Sequence, residues 1–271
     1  MRNLSGNLLD ISYLDTLAAG DSPLHRLDPR AKLIVTIAFI IAVVSFDRYT
    51  ISALMPFGLY PVVLISAGRI PAMYLLKKIF LVAPFAVMVG IFNPLIDTTV
   101  LYHIGPWGFS GGWVSLVSIL LRFCLTVAAA LALLALTGFN AVCESLLTLG
   151  MPRPFVVQLS FFYRYMFVLG EEAGRVARAR SLRSFDGRAM GLTEFGSFSG
   201  HLLLRTLDRA ERIYRAMCCR GFDGHVPALR RMRKGVYTDV FFVLGWLVLF
   251  FIFRYYDPAG KLGAFMTGVW R

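Results

Sequence analysis

Two tripeptides carry the most specific chemistry in the chain. Ala179-Arg180-Ser181 and Cys219-Arg220-Gly221 each set one arginine between two small residues, forty positions apart. Small flanks let another backbone come close, and a planar guanidinium donates two parallel hydrogen bonds to a carboxylate. Two such points on one chain suit two equivalent sockets, such as those of a dimeric partner. The spacing alone favours a plainer reading, in which both are exposed arginines complementing helix dipoles.

Other reactive residues lack such a pattern. His25, His103, His201 and His225 are scattered, with no His-x-x-x-His or His/Cys cluster, so no metal site is expected on this chain. Cys124, Cys143, Cys218 and Cys219 show no Cys-x-x-Cys spacing; the vicinal pair reads as small, half-buried helix residues rather than a redox couple. No Gly-x-x-x-x-Gly-Lys-Ser/Thr run occurs, so the chain is not expected to cradle ATP phosphates. The glycine-rich stretch 105–112 lacks the lysine. No acid/base constellation is visible, so no catalytic residue and no cofactor are expected.

The elements that position the arginines must suit an apolar chain. Of 271 residues, 57% are hydrophobic and 16% charged, and the mean hydropathy is +0.66. Soluble domains carry about 25% charged residues, and disordered chains are poor in apolar ones. Against this background stand 28 Lys and Arg and 16 Asp and Glu, a net charge of +12. Such an excess belongs on a nucleic-acid surface or on the cytoplasmic side of a membrane protein. The apolar runs select the membrane, and a nucleic-acid partner is not expected.

A span needs about 20 mostly apolar residues. Five segments qualify by sequence: 33–46 extended to 51, then 49–68, 79–96, 113–137, and 240–253 lengthened by Tyr237, Tyr255 and Tyr256. The fourth contains Arg122. An intramembrane charge is a functional candidate by default; pairing with another helix or a partner protein is the structural alternative. Segment 154–163 is too short to cross and reads as an interfacial or packed helix. The first 31 residues hold acids and proline but no apolar core stretch, so no cleavable signal peptide is expected.

Charge orients the spans. Arg2, Arg26, Arg30 and Lys32 precede the first, and Arg69, Lys77 and Lys78 lie between the second and third. The link 93–112 holds no Lys or Arg. The positive-inside rule therefore puts the N-terminus in the cytoplasm. Residues 140–237, with 16 Lys and Arg against 8 Asp and Glu, fall on the same side. Within them a helix is expected from Tyr165 to about Phe185, then a loose connection marked by Gly191, Gly196 and Gly200, with Thr193 or Ser197 as caps. A second helix is expected from about His201 to Arg220, ended by Gly221. Its apolar residues Leu203, Leu207, Ala210, Tyr214 and Met217 recur every three or four positions, the mark of an amphipathic helix. The expected organisation is a cytoplasmic segment 1–31, four spans in 32–138, cytoplasmic helices in 139–236, a fifth span in 237–256 and a tail, 257–271.

Three passages together resemble the transmembrane T component of energy-coupling-factor transporters, of the cobalt/nickel branch. They are Ser22-Pro23-Leu24-His25-Arg26-Leu27-Asp28-Pro29-Arg30-Ala31-Lys32-Leu33 and the two arginine tripeptides, the second extended by Phe222-Asp223-Gly224. Cys219 departs from the alanine usual in that family. The resemblance implies an all-α membrane protein of about five transmembrane helices with a cytoplasmic domain of amphipathic coupling helices. It implies a non-catalytic scaffold in the cell membrane that joins two ABC-type ATPase subunits to a substrate-binding, metal-binding membrane subunit. Arg180 and Arg220, with their flanks Ala179, Ser181, Cys219 and Gly221, match the positions that dock into the ATPases. The implied cargo is cobalt, then nickel; a vitamin carrier and a stand-alone secondary transporter are the competing readings. The latter usually shows inverted repeats and polar midspan residues, of which only Arg122 is present. A membrane enzyme acting on phosphate-bearing substrates finds no supporting residues.

Overall fold

A computed structural model describes residues 13–47, 51–96, 100–104, 107–183, 191–224 and 236–256. In chain order these form α1 (Pro29–Val44), a 3-10 helix (Ser52–Gly58) running into α2 (Leu59–Ala67), α3 (Ala72–Gly90) and α4 (Phe92–Ile96). A hairpin follows, β1 (Val100–Ile104) and β2 (Trp107–Ser110), then α5 (Gly111–Thr137), α6 (Phe139–Thr148), α7 (Arg153–Arg183), α8 (Leu192–Cys219) and α9 (Val236–Tyr256). The hairpin is antiparallel, with Ile104 opposite Trp107 and His103 opposite Gly108. Apart from it the elements among the described residues are helical, and the fold is that of an all-α membrane protein. The chain divides into two compact units, Thr16–Gly138 with Met232–Arg271, and Met1–Asp15 with Phe139–Arg231.

In the first unit, Asp28-Pro29 starts α1. The Asp28 carboxylate accepts the Arg30 amide at 2.9 Å, and proline at the first helical position has no amide to lose. Helix α5 is central and packs against α1, α2, α3 and α4. Its buried residues include Ala128, Ala129, Ala132 and Ala135, small side chains that let neighbouring helices approach. An aromatic cluster joins α1, the 3-10 helix, α2 and α9: Phe57 stacks on Phe250 at 5.9 Å between centroids, and Tyr60 meets Trp246 edge-on at 4.9 Å. The outward residues Phe80, Leu81, Phe241 and Phe251 are each more than 70% exposed, as lipid-facing side chains must be.

Among the described residues three helices are long and apolar enough to cross a membrane: Ala72–Pro94, Gly111–Thr137 and Tyr237–Tyr255. The first two expected spans are shorter. Helix α1 has 16 residues and closes at Ser45, whose amide bonds to the Ile41 carbonyl. The apolar stretch Ser52–Ala67 opens as a 3-10 turn with Pro56 inside it, because proline lacks the amide an α-helical ladder needs.

The second unit holds α6, α7 and α8. Phe139 stacks on Tyr163 at 4.2 Å, and the Tyr163 hydroxyl donates to the Asp15 carboxylate at 2.6 Å. Burial, with Asp15 beside it, raises the Tyr163 phenol well above its usual pKa. Two expectations are corrected here. Segment 154–163 is no separate short helix; it is the first third of the 31-residue α7. Gly196 and Gly200 do not mark a loose connection either, since α8 starts at Leu192 and contains both, along with Thr193 and Ser197. Nothing lies within 4 Å of a side chain at either glycine. Each costs about 1 kcal/mol against alanine, which a 28-residue helix absorbs.

Candidate functional site

The two long helices of the second unit are bridged by one carboxylate. Glu172 on α7 accepts from Arg175 at 2.7 Å on the same helix and from Arg205 on α8 at 2.8 Å. Arg175 first, and Arg205 with it, hold the Glu172 carboxyl below its ordinary pKa. Beside this bridge a cavity of about 340 Å³ is lined by Val168, Leu169, Asp208, Arg209 and Arg212 among others. At 1.5 Å per residue, Arg180 lies about 12 Å along α7 from the bridge and Arg220 about 22 Å along α8. The two arginines thus end arms of unequal length.

Their local settings also differ. Ala179, Arg180 and Ser181 sit in the last turn of α7, which continues to Arg183; Ser181 donates back to the Arg178 carbonyl at 2.8 Å. Ala179 and Ser181 are exposed, and Arg180 is half-buried. Cys219 instead closes α8, and Arg220 is the residue at its cap. The Gly221 amide bonds to the Cys218 carbonyl and the Phe222 amide to the Met217 carbonyl, both at 3.0 Å. With Gly221 at φ +78°, this is the paired C-terminal closure that requires a left-handed residue. Gly221 therefore has an internal reason to be glycine, and nothing within 4 Å crowds it. Cys219, Arg220 and Gly221 are all exposed.

The family profile CbiQ, described as cobalt transport protein, matches residues 20–232. The chain belongs to that family. It is 28% identical over 223 residues to the energy-coupling factor transporter transmembrane protein EcfT of Heliobacterium modesticaldum, covering 75% of this chain and 82% of that protein. Similarity to the EcfT of Bacillus subtilis is 26% over 260 residues, 89% of this chain and 97% of the relative. The putative fused cobalt transport protein CbiMQ of Methanocorpusculum labreanum is 28% identical over 257 residues, 88% of this chain and 42% of its own length.

Within this CbiQ-family chain the remaining candidates resolve as structural groups. Arg122 donates from Nη2 to the Asp47 carbonyl, just beyond the end of α1. Arg254 donates to the Ser45 carbonyl at 3.2 Å and lies over the Phe46 ring at 4.5 Å, so two arginines serve one helix C-terminus. His25 takes one tautomer: Nε2 donates to the Leu17 carbonyl at 3.0 Å and Nδ1 accepts from Ser22 at 2.6 Å. Burial pushes its imidazole pKa below the ordinary value. Cys218 and Cys219 are exposed, not half-buried, since no element among the described residues covers the last turn of α8. His103 falls on β1, His201 lies on α8, and His225 lies outside the described residues. Among those residues no three His, Cys, Asp or Glu gather as a metal-binding group.

Sequence reasoning missed the Glu172–Arg205 bridge. Glu172 and Arg175 are helix neighbours that spacing can suggest, but no local signal links residues 33 apart. It also did not foresee that α8 leaves its apolar row open, with Leu203, Leu204, Leu207 and Tyr214 each more than half exposed.

Proposed function

We propose that the chain is the energy-coupling transmembrane component of an ATP-driven metal-ion importer in the cell membrane, with cobalt as the cargo and nickel as the alternative. It joins two ABC-type ATPase subunits to a metal-binding membrane subunit and hydrolyses no ATP itself. The observation that carries this reading is the CbiQ match over residues 20–232, which takes in both arginine tripeptides on the bridged pair of helices. Arg180 and Arg220 are the docking arginines, one per ATPase. The open apolar row on α8 supports a further protein partner, because contiguous exposed apolar surface on a folded helix marks an interaction site.

The chain lies with its N-terminus and second unit in the cytoplasm. The competing reading, a stand-alone secondary transporter, rests on Arg122 alone, whose Nη2 donates to the Asp47 carbonyl. The test is purification from the native membrane followed by identification of the companions and transport assays with cobalt, nickel and vitamins. Two ATPase copies and a small membrane protein, with ATP-dependent uptake of cobalt, are expected. The chain alone, or uptake without ATPases, refutes the proposal.

A further inference from the structure

The backbone passes between the two units at Asp15/Thr16, at Gly138/Phe139, and a third time ahead of α9. Each passage leads within a few residues to a group held by the stretch 22–32. After the first, the Leu17 carbonyl accepts from His25 at 3.0 Å. Before the second, the Leu136 carbonyl in the last turn of α5 accepts from Lys32 Nζ at 3.1 Å. After the third, Asp239 in the first turn of α9 accepts the Asp28 amide at 3.0 Å. All three bonds lie inside the first unit.

The Lys32 side chain decides the weight of this arrangement. The residue is 2% exposed, and a buried ammonium is tolerated only where its donors are well met. Its position at the negative end of α5 supplies part of that stabilisation. Directly beyond, Gly138 turns the chain with φ +77° while its amide still bonds to the Leu134 carbonyl at 2.8 Å. A methionine of similar length would fill the same space, so the choice of lysine points to a grip on the carbonyl rather than to packing.

We propose that residues 22–32 form a hub gathering the three chain passages, with His25, Asp28 and Lys32 as positioning residues that tie α5 and α9 to the arginine-bearing unit's movement. This rests on the transporter reading above. Motion delivered to the second unit reaches the membrane helices through the ends this hub holds.

The test uses the reconstituted complex of the full chain with its ATPases, and reads cobalt uptake per ATP hydrolysed. Lys32→Met should keep the ATPases bound within about twofold and lower the ratio about tenfold or more, the scale of a lost hydrogen bond to a charged group. Asp239→Ala should act in the same direction, whereas Asp239→Asn keeps the accepting oxygen and should behave as the parent. Asn93→Ala is the control: it removes the 3.1 Å hydrogen bond that the Asn93 side chain donates to the Ser115 hydroxyl, away from residues 22–32, and should leave the ratio unchanged. A parent-like ratio in Lys32→Met, an equal loss in Asn93→Ala, or release of the ATPases from Lys32→Met overturns the hub. Hydrogen exchange gives a readout independent of transport: the Gly138 amide should exchange faster in Lys32→Met. Should the parent itself fail to transport, the transporter reading falls, while unchanged exchange at Gly138 would still sink the hub.

Discussion

Replacing Gly221 with alanine separates what the second tripeptide does for its own helix from what it does for a partner. Gly221 sits at φ +78° with open space around it, so an added methyl meets no neighbour and only backbone strain acts. A left-handed conformation costs an L-residue roughly 1–2 kcal/mol. Alanine recovers part of this by restricting the unfolded chain, about 0.4–1 kcal/mol. The net expectation is about 1 kcal/mol, near fivefold in the equilibrium between closed and frayed last turn. Exchange at the Gly221 and Phe222 amides, whose acceptors are the Cys218 and Met217 carbonyls, should accelerate by about that factor. Capture of the ATPases should weaken by a similar amount, because the cap sets the direction of Arg220. Asparagine, which enters the left-handed region more readily, should cost less. Unchanged protection in Gly221→Ala would refute the cap argument. A weakening of ATPase association as deep as in Arg220→Ala would mean that the glycine serves a partner's close approach instead.

Arg180→Ala or Arg220→Ala should each weaken ATPase association by about 2–5 kcal/mol, the usual cost of stranding a buried charged partner, and lysine should not rescue fully because it lacks the guanidinium fork; pull-downs that match the parent for both variants would contradict the docking assignment. Glu172 is held below its ordinary pKa by Arg175 and Arg205, so its pairing contributes stability above about pH 4.3 that is lost as pH falls through the lowered value. Thermal unfolding followed downward from pH 7 should show this loss in the parent and a flatter profile in Glu172→Gln; identical slopes would speak against the bridge. Single cysteines at residues 3 and 191 should label only from the cytoplasm, and those at 105 and 271 only from outside; external labelling of residue 191 in intact cells would reverse the orientation.

Legibility in the sequence followed the range of the interaction. The long apolar runs became α3, α5 and α9, because hydropathy over twenty residues is a local property. Gly221 was recognisable as a helix stop for the same reason: its role depends on its own φ. The limits of α1 and α2 were less legible, since the apolar run continues past Val44 while the helix does not, and Pro56 changes the helix type without ending the run. Glycine misled at 196 and 200, where a long amphipathic helix outweighed two local penalties. Nothing local announced that Glu172 would meet Arg205 or that Lys32 would reach the Leu136 carbonyl, which lies 104 residues away. The arginine tripeptides were legible as a pair, yet their unequal geometry was not, because similar triplets can sit on either side of a helix cap.

The 3-10 opening of the second apolar segment bears on hydrophobic mismatch. Sixteen residues wound wholly as α-helix, as in α1, rise only about 24 Å, short of a hydrocarbon layer of about 30 Å. The seven residues Ser52–Gly58 rise about 2.0 Å each in the tighter winding, so Ser52–Ala67 reaches about 27 Å without an added residue. On the proposed topology, in which both segments cross, proline at position 56 thereby stretches a short segment toward the layer's thickness, while α1 stays short. The bilayer should be thinnest along that one flank of the protein, and lipids with shorter acyl chains should gather there.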